Sequence, residues 1–110
     1  MDAKLSDLAE RIRIFIDERD WNQFHDPKDL AISLCLEANE VLEHFQWKNK
    51  DEINREEIGK ELADVLYWVL LMSSNLDIKL ADVFEKKMIE NEKKYPIEKA
   101  KGTHKKYTEL

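Results

Sequence analysis

Apolar residues recur at helical intervals along most of the chain. Leu5, Leu8, Ile12, Phe15 and Ile16 are separated by Asp and Arg residues, a pattern that predicts an amphipathic helix over residues 4–19. The periodicity stops at Asp20-Trp21-Asn22-Gln23-Phe24-His25-Asp26-Pro27, which reads as a loop. Within it Asp26 can cap the next helix, and Pro27 suits that helix's first position. This second helix is expected to run to about Trp47. Polar Lys48 to Ile53 form the next connection, after which Asn54 and Glu57, at capping-box spacing, open a third helix reaching about Asn75. Leu80, Val83, Phe84 and Met88 mark a fourth, ended by Pro96 because the residue before a proline avoids the helical region. From Ile97 onward there is no periodicity, and Gly102 with Lys99, Lys101, Lys105 and Lys106 reads as an irregular basic tail, open to ordering by a ligand.

Four helices without strand signals predict an all-α, four-helix-bundle-like fold in a single domain over residues 1–110. Composition agrees, since the chain holds only 2 Gly and 2 Pro. A chain of 110 residues keeps much of its surface exposed, so a homo-oligomer, dimer or tetramer, is expected. The net charge of -6 repels a phosphate backbone and argues against broad nucleic-acid binding, so any phosphate ligand must arrive with a cation. A single cysteine, Cys35, excludes an intramolecular disulfide framework and suits a reducing cytosol. Met1-Asp2-Ala3-Lys4 has no apolar signal core, and the run from Leu62 to Met72 contains Asp64 and falls short of the roughly 20 residues of a membrane span.

The candidate chemistry lies in Glu37-x-x-Glu40 on the second helix and Glu61-x-x-Asp64 on the third. Residues three apart share a helix face, so two such helices can direct four carboxylates at a hard cation such as Mg²⁺. The spacing alone is common here, recurring at Asp7/Glu10, Asp17/Asp20 and Asp82/Glu85. What separates the chosen pairs is their apolar setting. Leu34, Ala38, Val41 and Phe45 flank Glu37 and Glu40, and the face of Glu61 and Asp64 continues into Trp68, Leu71 and Met72. Ionised carboxylates there are costly to desolvate unless a cation or donors compensate. The competing account is that these acids pair with Lys or Arg on neighbouring helices. A di-iron bundle needs Glu-x-x-His, and none of His25, His44 or His104 has a Glu three positions before it.

Five separated segments then align with one family. They are Glu18-Arg19-Asp20-Trp21-x-x-Phe24-His25-x-Pro27, Glu37-x-x-Glu40 through Phe45-Gln46-Trp47-Lys48, Glu61-Leu62-x-Asp64-Val65, Lys87-Met88-x-x-Asn91-x-x-x-Tyr95-Pro96 and Lys106-Tyr107-Thr108-Glu109-Leu110. In this text the chain resembles the MazG-like superfamily of all-α nucleoside triphosphate pyrophosphohydrolases, and within it the dCTP pyrophosphatase branch. The resemblance implies that Glu37, Glu40, Glu61 and Asp64 bind Mg²⁺ and that Trp21, His25 and Trp47 help enclose a base. It also implies that Lys87, Asn91 and Tyr95 contact substrate, and that oligomers carry active sites near subunit interfaces. Trp68 stands where the dCTP-type pattern has Tyr, and the resemblance implies that the larger indole there is placed to alter the sugar or base pocket, which departs from strict dCTP preference.

The other residues carry two readings each. Trp21 and Trp47 sit in or beside connections, where an aromatic either packs on the helices or stacks on a base; Phe24 is read as packing. Lys87 and Asn91 interrupt the fourth helix's stripe and either snorkel to water or point at a ligand. His44 has no assigned role. The expected activity is that of an Mg²⁺-dependent hydrolase in which water attacks the α-phosphorus of a (deoxy)nucleoside triphosphate, dCTP or a related or modified deoxynucleotide. Either Glu37 or Glu40 serves as general base, and pyrophosphate leaves. Its alternatives are a non-catalytic helical module that binds nucleotides or a protein, and a helical oligomer whose acids are structural.

Overall fold

The computed structural model describes residues 4–110, so the signal-free reading of Met1-Asp2-Ala3 lies outside the described residues. These residues form five α-helices: α1 Leu5–Glu18, α2 Pro27–Glu43, α3 Arg55–Asn75, α4 Leu80–Lys94 and α5 Ile97–Ala100. Short 3₁₀ turns occur at Asn22–Phe24, Lys50–Glu52 and Tyr107–Glu109, and no strand is present among the described residues. The chain divides into two compact units, one reaching to Ile78 and the other spanning Lys79–Leu110.

In the first unit α3 packs against both α2 and α1. Ile16, Leu30 and Leu71 are buried together, with Ile12, Tyr67, Trp68 and Met72 packed around them. These residues come from three helices, and their burial fixes which faces of α2 and α3 meet. Asp26 takes the N-cap position of α2 through its backbone, with Pro27 behind it, but its side chain makes no capping hydrogen bond. At α3 the cap is complete on one side: the Asn54 side chain accepts from the Glu57 backbone N–H at 3.1 Å.

Helices α1 and α3 end in the same way. After α1, Asp20 turns left-handed with φ 54°, its N–H donates to the Asp17 carbonyl, and the Trp21 N–H donates back to Ile16. After α3, Asp77 has φ 55°, donates to Ser74, and the Ile78 N–H donates to Ser73 at 2.8 Å. Both are six-to-one, five-to-two closures that satisfy the last carbonyls, with Asp where Gly is usual. The first of them aims Trp21 back along α1; next to the second, Asn75 reaches across to donate to the His25 carbonyl at 3.1 Å.

Two boundaries depart from the periodic pattern. Helix α2 stops at Glu43, short of the expected Trp47, and turns follow through Trp47, which adopts φ 63°. Phe45, Gln46 and Trp47 continue the residue types of a helix but not its backbone. In the second unit, the tail expected to be irregular is partly ordered. Pro96 caps α5, and the Tyr107 ring meets Tyr95 edge-on at 6.1 Å with the Lys94 ammonium 5.0 Å from its centroid. Lys93 and Lys94 also favour the last turn of α4 electrostatically.

The left-handed cap of α3 gives a direct test. Asp77→Gly is expected to hold or raise the melting temperature, whereas Asp77→Val should lower stability by about 1–2 kcal/mol, because a branched Cβ clashes in that conformation. Thermal melts of the two variants against the parent check this.

Candidate metal and nucleotide site

Helices α2 and α3 bring one oxygen each of Glu37, Glu61 and Asp64 within 4.8 Å of one another. Glu37 and Glu61 are half-buried and Asp64 is exposed, so the group opens to solvent on the Asp64 side. The Oε2 atoms of Glu37 and Glu61 are buried without a hydrogen-bond partner. Glu40, one turn beyond Glu37, lies outside the three-oxygen group but close enough to act on Glu37. Burial chiefly pushes the Glu37 carboxyl above its usual 4.5, followed by the hydrogen bond and charge of Glu40, then the charges of Asp64 and Glu61.

No Lys or Arg pairs with Glu37, Glu40, Glu61 or Asp64 among the described residues. The pairing with Lys or Arg of a neighbouring helix is thus not formed among the described residues, and the one contact of this kind is His44 Nε2 at 3.3 Å from Glu61 Oε1. The donor set is all carboxylate and compact, and two of its oxygens are buried and unsatisfied. It fits a hard divalent cation, which takes oxygen ligands at roughly 2.0–2.6 Å.

Beside the acids lies a cleft of about 580 Å³, lined by Arg11, Phe15, Glu37, Asp64, Tyr67 and Trp68, with Leu8, Ile12, Ala63, Leu66 and Leu70 forming its apolar wall. Aromatic rings run edge-to-face around it. Trp21 meets Phe15 at 5.7 Å, Phe15 meets Tyr67 at 6.3 Å, Tyr67 meets Trp68 at 5.1 Å, and Trp68 meets His25 at 6.4 Å. The array follows from α3 placing Asp64, Tyr67 and Trp68 on one side, against Phe15 of α1. Burial raises the Tyr67 phenol, with Arg19 opposing and Asp64 adding to the shift, so the hydroxyl is a neutral donor near pH 7.

Of the residues expected to meet substrate, Trp21, His25 and Trp68 thus join one aromatic array near the acids. His25 also keeps a buried Nδ1 without a partner. Trp47 stands apart from that array, 93% exposed, and Phe24, read from sequence as packing, is 65% exposed. Lys87, Asn91 and Tyr95 belong to the second unit. There Lys87 sits 3.5 Å from Glu90, Asn91 is half-buried and accepts from the Tyr95 N–H, and Tyr95 faces Tyr107. Sequence reasoning missed Arg11, Phe15 and Tyr67, because Phe15 and Tyr67 carry the signature of core positions; the proximity of Tyr67 to Asp64 one turn away was the available clue.

The sequence model of the MazG-like family matches residues 32–110. The chain is similar to dCTP pyrophosphatase 1 of Homo sapiens, 34% identical over 114 residues that cover 96% of this chain and 67% of that protein. The Mus musculus protein of the same name is 33% identical over the same shares. Among solved structures, a pyrophosphatase from Archaeoglobus fulgidus DSM 4304 is similar with a TM-score of 0.77 and 35% identity, covering 87% of this chain and 95% of that one.

The raised Glu37 carboxyl makes metal-free stability depend on pH. A folded-state value above the unfolded one favours the fold fully below about 4.5 and loses that advantage as pH rises through the raised value. Without divalent ions, the melting temperature should fall over that window, and Glu37→Gln should flatten the slope and raise the melting temperature at pH 7. An unchanged slope in the variant would assign the dependence elsewhere.

Proposed function

The chain belongs to the MazG-like family and is a nucleoside triphosphate pyrophosphohydrolase, and from that premise we propose that it hydrolyses dCTP or a related or modified deoxynucleotide to the monophosphate and pyrophosphate with Mg²⁺. The convergence of Glu37, Glu61 and Asp64, with unpaired buried oxygens on an aromatic-lined cleft, is the observation that carries this reading.

In this proposal Glu37, Glu61 and Asp64 hold the metal, with Glu40 completing the set or facing the water. Mg²⁺, when bound, neutralises the triphosphate and strengthens the electrophile at the α-phosphorus. The chain's own residues supply the rest. Glu40 or Glu37 takes the proton of the attacking water, Glu40 being the one that stands outside the three-oxygen group. Trp21, His25 and Trp47 enclose the base, and Trp68 bounds the sugar or base pocket with a larger ring than the Tyr of the dCTP-type pattern. Lys87, Asn91 and Tyr95 are taken as substrate contacts, as the family resemblance implies, and the basic residues after them as offsetting the charge of the departing pyrophosphate.

We read the chain as a single functional domain working as a homo-oligomer, dimer or tetramer. Only Ile16, Leu30, Leu70 and Leu71 are buried apolar residues among those described, while Leu36, Leu42, Phe84 and Ile97 are exposed. No helix of the described residues is long and apolar enough to cross a membrane. The single thiol, Cys35, suits a cytoplasmic setting.

Incubation with dCTP and Mg²⁺ should yield dCMP and pyrophosphate; release of orthophosphate alone would contradict cleavage at the α-phosphorus. Asp64→Ala should lower turnover by roughly 10²-fold or more, through lost transition-state stabilisation, while circular dichroism shows retained helix. For Trp47→Ala, KM should rise by the equivalent of about 1–3 kcal/mol, the worth of one base stack, with kcat less affected. A substrate panel that leaves every KM unchanged would remove Trp47 from the base site.

A further inference from the structure

His44 closes α2 as its C-cap residue and lies seven positions after Glu37 and four after Glu40, so it extends the face that carries both acids. Its Nε2 is 3.3 Å from Glu61 Oε1 across the contact between α2 and α3. The two side chains are 23% and 21% exposed, which makes this a partly desolvated contact between helices and not a surface pair. The other oxygen, Glu61 Oε2, is buried with no partner, and Glu61 is one of the three acids whose oxygens converge. Glu61 is therefore divided: one oxygen is tied and one is free.

We propose that His44 is a positioning residue that anchors Glu61 through Oε1 and so presents Oε2 to the metal as a single-oxygen ligand. This rests on the metal-dependent reading given above. The need for such an anchor follows from charge. Glu37 and Asp64 repel an ionised Glu61, no Lys or Arg holds it, and an unrestrained glutamate would swing its carboxylate toward solvent. A neutral imidazole with its proton on Nε2 is a sufficient donor. Outer-shell donors of this kind fix the orientation of a ligand before the ion arrives, and their removal typically costs about 10–100-fold in metal affinity or activity.

The test measures Mg²⁺ binding alone, by calorimetry on nucleotide-free protein, together with the rise in melting temperature at fixed Mg²⁺. His44→Leu removes the donor, and His44→Asn keeps an amide that is too short to reach; both are expected to weaken Mg²⁺ binding by about tenfold or more and to shrink the thermal rise. His44→Gln places an amide N–H near the position of Nε2 and should restore binding to within a few-fold of the parent. In turnover, the Mg²⁺ concentration for half-maximal rate should rise for Leu and Asn while the nucleotide KM at saturating Mg²⁺ holds. If Leu and Asn lower the melting temperature but bind Mg²⁺ like the parent, His44 is structural only and the proposal is overturned. Should His44→Leu fail to fold, the Asn and Gln pair decides. A parent protein that binds no Mg²⁺ would instead overturn the metal reading itself.

Discussion

Mutual repulsion among carboxylates, held in check by the packing of two helices, is the constraint on which the site depends. Glu37, Glu61 and Asp64 point toward one another without a Lys or Arg between them, and burial denies two of their oxygens the water that would ordinarily stabilise them. Such an arrangement costs free energy in the isolated chain. It persists because Ile16, Leu30 and Leu71 lock α1, α2 and α3 together through apolar burial that the acids cannot undo. The energetic conflict is thus local, and a bound divalent cation would relieve it. The apolar core of the same three helices supplies the rigidity that an electrostatic site needs, and filling the site would return stability to the fold.

Much of the fold was legible because α1, α3 and α4 obey a 3.6-residue period and carry ordinary stop signals. Asn54 capped α3 as its spacing to Glu57 suggested, and Pro96 ended the helix before it. The misreadings share a physical origin in backbone conformation that residue type does not announce. Trp47 adopts a left-handed φ that a bulky side chain rarely takes, so the apolar run through Phe45 looked like more helix than exists. Around Tyr107, order comes from aromatic and cation contacts between residues of the second unit, which local periodicity cannot register.

The candidate site was legible as chemistry but only partly as membership. Three of the four expected acids converge, while Glu40 lies to one side and acts on its neighbour Glu37. Phe15 and Tyr67 were hidden because a residue lining a cleft and a residue filling a core obey the same periodic rule. His44 had no legible role, since its partner is 17 positions away and nothing local marks the pair. Phe24, read as packing, is 65% exposed in the single chain, so it takes no part in the core of the first unit.

The three tryptophans occupy unlike surroundings. Trp21 and Trp68 sit edge-on against other rings, whereas Trp47 is 93% exposed. An indole in water emits at longer wavelength and is reached freely by a collisional quencher, so Trp47, more exposed than the 41% of Trp21, would contribute most to the red edge of the intrinsic fluorescence. The chain therefore carries its own optical probe of whatever comes to cover that ring.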